Sequence, residues 1–244
     1  MTETMLAEIL PTSPPQAVLV QTPIILPVTL TPIPVHSPTF TPSPTITPTS
    51  TPDTRPLPRA WRTWPVIPMV SSRAVEIYRR GQEMGVAPYT FSVVGDCQSE
   101  PQVFLGIYAT NRNPIGPDYP HLLETIQLFY DSFWRDSVAV RDGLSAPSAL
   151  DPLWSDPTRC QPGESPLACE LRTYRPMIVF VNLGTNWRPD VSVTLYEKYL
   201  RQIVEQIIAS GAVPILTNKA DNIEGDFAIN RVTAQIAYEY DVPY

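Results

Sequence analysis

Apolar positions along this chain recur at two periods, and the two alternate from residue 71 onward. The stretch "SSRAVEIYRRGQEMG" reads as a helix, with a serine cap near Ser72 and a glycine stop at Gly85. "YTFSVV", at 89–94, is a short β-rich run bounded by turn residues and predicts a buried strand. "YPHLLETIQLFYDSFW" predicts an amphipathic helix with Leu122, Leu123, Ile126, Phe129, Tyr130 and Phe133 on one face. "SVAV" predicts a strand that leads directly into "RDGLSAPSAL".

"PMIVFVNLG", at 176–184, is the most apolar strand, continuous rather than alternating, as in parallel sheets covered on both faces. The helix that follows, over 192–210, is expected to turn Leu195, Tyr199, Leu200, Ile203, Val204 and Ile207 inward. Its Glu197, Arg201 and Glu205 face water at i,i+4 spacing. Gly211 ends that helix, "AVPILTN" is another strand, and "FAINRVTAQIAYEY" is a last helix. "DVPY" starts what reads as a further strand, and 150–175 reads as a long loop.

Strands alternating with helices predict an α/β fold with a parallel sheet and helices on both faces. Ligands of such sheets bind beyond the carboxyl ends of the strands. Gly95-Asp96-Cys97, Asp142-Gly143, Gly184-Thr185-Asn186 and Asn218-Lys219 all fall at those ends, which makes that edge the expected site.

Composition divides the chain in two. Residues 1–58 are Pro and Thr/Ser with scattered Val and Ile, hold about half of the thirty prolines, and precede every glycine. Proline at that density removes backbone donors and fixes φ, so the expectation is an extended spacer rather than a packed core. Its hydroxyls suit an O-glycosylated stalk, although a bare disordered tail fits the composition too. Residues 59–244 are long enough for one domain with a real core.

The net charge of −7, without a basic stripe or zinc spacing, argues against nucleic acid as a partner. No metal or cofactor is called for. No run of 18 uninterrupted apolar residues predicts a membrane span. "MTETMLAEIL" lacks the basic start of a signal peptide, yet a Pro/Thr stalk points to the cell surface. The expectation is therefore a signal or anchor upstream of Met1.

Cysteines number three. Cys160 and Cys169 flank the turn-rich "QPGESPLA" and are expected to pair, which leaves Cys97 alone. A nucleophile and an inert, partly buried thiol are both open readings of Cys97.

At this point "SVVGDCQS", "VAVRDGLSAPSAL" and "IVFVNLGTNW" together resemble the three leading blocks of the SGNH (GDSL-type) hydrolases. The resemblance covers 89–244 and implies a flavodoxin-like three-layer α/β/α sandwich that hydrolyses esters. It puts Cys97 in the place of the nucleophilic serine. It makes the Gly143 amide and the Asn186 side chain the oxyanion donors, supported by Gly95, Asp96 and Gly184.

A substrate would be a small-molecule or glycan ester, with Lys219 and Asp221 at the rim and Trp154 and Asp156 overhanging from an insertion. The resemblance departs at one further place. The family's Asp-x-x-His block would follow "DVPY", so the expectation is a domain truncated at its C-terminus, its sheet lacking the last strand and its site the base. His36 and His121 are expected at the surface, away from the site. Without a base the domain is expected to be inactive as given, and a non-catalytic surface module with the same fold is the alternative.

Overall fold

The computed structural model describes residues 55–244. Most of the predicted stalk, 1–58, and with it His36, lies outside the described residues. Three short strands, β1 (Phe91–Gly95), β2 (Ile178–Asn182) and β3 (Val213–Leu216), form a parallel sheet in the order β1-β2-β3. Outside β1, Val140 makes a single parallel bridge to Gly95. Outside β3, Leu216 N donates to Pro243 O at 2.9 Å. The fold is an α/β sandwich, and "DVPY" lies where a further strand would add to β3.

"SVAV" does not form the predicted strand, and a serine explains why. Ser137 Oγ donates to Val93 O at 2.8 Å and accepts from Ala139 N at 3.1 Å. A side chain thus occupies a carbonyl that strand pairing would have used, and only one bridge remains.

The register gives the sheet two different faces. Val94, Val179 and Val181 point into an aliphatic core with Leu200, Ile203, Val204 and Ile207 of α5 (Val193–Ala209) and Ile236 of α6 (Ala228–Tyr240). On the other face Phe180 stacks edge-on against Phe91 and Phe104, at 5.5 and 5.8 Å between centroids. Phe133 meets Phe91 at 5.1 Å. β2 is therefore covered on both sides, by aliphatic side chains on one and aromatic rings on the other.

The helices depart from expectation in particulars. The first, α1 (Ser72–Glu83), is capped by Ser71, whose Oγ accepts from Ala74 N, rather than by Ser72. The predicted amphipathic helix breaks at Phe129 into α2 (Pro120–Leu128) and α3 (Tyr130–Phe133). Phe129 and Phe133 reach Phe91, but no residue of α2 is buried, and Leu123 and Tyr130 are exposed. In α5 it is Tyr196, not Leu195, that turns inward.

The predicted loop 150–175 contains a helix, α4 (Pro166–Tyr174), with Ser165 as cap and Pro166 in the first turn. A disulfide joins Cys160 to Cys169, Cα to Cα 5.3 Å, and Cys169 is wholly buried in α4. Glu170, on the same helix, is also wholly buried and pairs with Arg135 at 2.7 Å. Among the described residues, no helix is long and apolar enough to cross a membrane.

Candidate active site

β1 ends at Gly95 because the next turn folds back onto the strand. A Cβ at Gly95 would come within 2.0 Å of Ser99 Oγ and 2.7 Å of Asn182 O, so a side chain there is excluded. Asp96, buried, caps the single 3₁₀ turn Cys97–Ser99 by accepting from Gln98 N at 2.9 Å. Cys97 opens that turn half-buried and free.

The carboxyl end of β2 continues through Gly184, whose φ of +122° and tight surroundings admit no side chain. A Cβ there would sit 2.7 Å from Ile229 Cγ2. Two residues on, the exposed Asn186 reaches back across the edge of the sheet. Its Nδ2 donates to Asp96 Oδ2 at 3.3 Å and to Leu144 O at 3.2 Å. Asn186 therefore joins the loop after β1, the loop after Val140 and the loop after β2. Gly143, beside Leu144, has φ +75°, and the ring edge of Trp154 lies 3.9 Å from where its Cβ would be. The insertion thus lies over Gly143 through Trp154, whose carbonyl also accepts from Arg141 at 3.2 Å. Asp156 instead binds its own turn, accepting from Thr158 N and Oγ1.

The charge around Cys97 is negative. Partial burial, the Asp96 carboxylate and a hydrogen bond to the Asp142 carboxylate all push the thiol above its ordinary value of 9.0. Asp142, exposed, is thus a hydrogen-bonding neighbour of the thiol. The sequence had placed it at the right strand end without giving it a role.

Lys219 lies beyond β3 with a side chain only 3% exposed, so it is interior rather than at a solvated rim. Its Nζ pairs with Asp221 at 2.8 Å and Glu224 at 2.7 Å. Asn230 clamps its backbone, accepting from Lys219 N at 2.9 Å and donating to Lys219 O at 3.0 Å. Burial works against the ammonium, but the two carboxylates outweigh it and hold its pKa above the ordinary value. The hydrogen bond from Lys219 in turn holds Asp221 below the usual carboxylate value.

His121 lies on α2, where its ring meets Tyr119 at 6.3 Å. Cys160, Glu164 and Cys169 are a cluster of metal-ligating types, but the two sulfurs are joined to each other and Glu164 binds Arg172. Ligation would first require that disulfide to be reduced.

No protein-family model and no curated protein sequence matches the chain. Among solved structures, 14 chains match. One is the psychrotrophic esterase EstA from Pseudoalteromonas sp., in a structure inhibited by monoethylphosphonate. It is 18% identical, with a TM-score of 0.41, over 64% of this chain and 75% of that one. The parallel strand order and the helices themselves define the α/β fold.

Proposed function

We propose that residues 59–244 form an SGNH-type ester hydrolase domain, acting on a carbohydrate or lipid acyl ester and carried at the cell surface on the Pro/Thr-rich segment 1–58. The observation that carries this reading is Asn186, whose amide spans Asp96 and Leu144 and so brings three strand-end loops to one point. In this reading Cys97 is the nucleophile, and the Gly143 amide and Asn186 Nδ2 hold the oxyanion. Gly95, Asp96 and Gly184 set the loops, and Lys219 with Asp221 fixes the neighbouring loop from inside.

The first half-reaction follows from those positions. The thiol gives up its proton to solvent base as the pH rises, and the thiolate Sγ attacks the ester carbonyl. The C–S bond forms, the C–O bond breaks, and the leaving alkoxide takes a proton from solvent. A thiol raised above 9.0 beside carboxylates gives this step little driving force near neutral pH. The second half-reaction needs an activated water, and Asp96 is already spent on Gln98 and Asn186. The thioester is therefore the expected end point.

A second reading, a non-catalytic surface module, is favoured by one specific observation. Both hydrogens of Asn186 Nδ2 already have acceptors, so an oxyanion would have to displace one of them.

Mass spectrometry and steady-state assay with p-nitrophenyl acetate separate the two. The hydrolase reading predicts one acetyl group on Cys97, none in Cys97→Ala, and steady turnover no greater than in that variant. Complete absence of acetylation at Cys97, at any pH where the fold persists, supports the module. Sustained Cys97-dependent turnover would overturn the stalled thioester and direct attention to Asp142 and Asp221 as bases.

A further inference from the structure

Beneath the Cys97 turn, on the aromatic side of β1, lies a small cavity that the proposed chemistry does not use. It is lined by Phe91, Val93 and Phe104, and by the polar side chains of Ser99, Ser132, Ser137 and Arg135. About 10 Å³ of it is open to a water-sized sphere, roughly the space for the centre of one water molecule.

Two polar atoms on its wall are unmatched. Ser99 is 2% exposed, and its Oγ has no hydrogen-bond partner among the described residues. Arg135 Nη1 is likewise buried without one. The other terminal nitrogen of the same guanidinium is fully used, donating to Phe91 O at 3.1 Å and Ser92 Oγ at 2.7 Å and pairing with Glu170 at 2.7 Å.

A buried donor left unmatched costs about 1–3 kcal/mol, and more when charged, so two on one cavity wall call for a shared partner. We propose that this cavity is a binding site for a single internal water molecule that accepts from Arg135 Nη1 and hydrogen-bonds Ser99 Oγ. Charge decides between water and a small anion. Arg135 is already neutralised by the wholly buried Glu170, so the wall carries no net positive charge to hold a halide. Size excludes anything larger. Ser132 Oγ, which accepts from Phe91 N at 3.0 Å, keeps its own hydrogen to donate to the water. The water has therefore three polar partners, the usual number for an internal site. It connects the turn that carries Cys97 to the Arg135–Glu170 pair, and through Glu170 Oε2 to Val138 N at 3.0 Å. The inference stands whether or not the domain hydrolyses esters.

The isosteric pair Ser99→Thr and Ser99→Val gives the test in solution, because both variants add the same bulk beside Gly95 and differ only in a hydroxyl. With the water present, threonine keeps its bond and valine removes it, leaving Arg135 short of a partner. The valine variant of the full chain should then melt about 3 °C or more below the threonine variant. A dry cavity reverses the order, since threonine would bury an unmatched hydroxyl where valine buries a methyl, and that result overturns the proposal. If neither variant folds, a crystal structure of the unaltered chain after a bromide soak decides. One spherical peak within hydrogen-bond distance of Ser99 Oγ and Arg135 Nη1, without anomalous signal, is expected. An anomalous peak there, or no peak, contradicts it.

Discussion

The loop after β1 and the loop after β3 leave the same edge of the sheet with opposite treatments of charge. At the first, Cys97 faces Asp96 and Asp142, and the surroundings favour the neutral thiol. At the second, a buried cation is matched by two carboxylates, Asp221 and Glu224, that leave it no freedom. A thiolate needs a positive neighbour to form readily, and the buried cation of the second loop is committed to its own two carboxylates. Lys219 holds a loop in place, and Cys97 is left to be activated by pH or not at all.

The largest effect should come from breaking the second loop. Lys219→Met leaves the nearly buried Glu224 and the part-exposed Asp221 without their counter-ion, and the loss should be about 3 kcal/mol in a denaturant titration. Adding Glu224→Gln to that variant should recover part of it.

Tyr196, beneath the same loop, gives the next largest effect. Burial pushes its phenol up to about 12, with the Glu224 charge acting in the same direction. Its folded value is raised above the unfolded 10.0, so its contribution is fully present below pH 10 and lost as pH rises toward 12. That loss should be about 2–3 kcal/mol, and Tyr196→Phe should flatten the fall.

Gly95→Ala should act on the first loop, forcing Ser99 off the strand at a cost of about 1–3 kcal/mol. Cys97 alkylation by iodoacetamide should speed up in that variant as the turn loosens. Asp142→Asn should act most mildly, removing one carboxylate from the thiol. Alkylation at pH 8 should rise about three- to tenfold with unchanged melting temperature.

Much of the fold that carries these two loops was legible in the sequence, although their opposite charge was not. β1, β2 and β3 are short β-rich runs between turn residues, and α5 and α6 carry long apolar stripes, so local pattern and tertiary packing agree. The strand ends named from that pattern include the three loops that Asn186 joins. What escaped the reading was governed by side chains acting on backbone. Ser137 took the carbonyl that a second strand needed. α4 hid inside a supposed loop, although Ser165 followed by Pro166 is a helix-start signal and Leu167 and Leu171 stand four apart. Lys219 read as a solvated rim residue because a lone lysine after a strand gives no hint that Glu224, five residues on, turns back to cover it. α2 was expected to pack because its apolar stripe looked continuous, but the break at Phe129 sends only the aromatic end onto the sheet.

The central claim is that Asn186 and Cys97 serve one acyl-transfer site, and the rate of Cys97 acetylation tests it most directly. The rate of thioester formation from p-nitrophenyl acetate, followed by mass spectrometry in the unaltered chain and in Asn186→Ala, should climb beyond pH 9 in the unaltered chain, as the raised thiol requires. It should fall about 100-fold or more in the variant, the usual cost of losing an oxyanion donor. Alkylation of Cys97 by iodoacetamide, which needs no oxyanion donor, should change little in the same variant. Equal acetylation rates in the two chains would mean that Asn186 only ties loops together, and the hydrolase reading would fail.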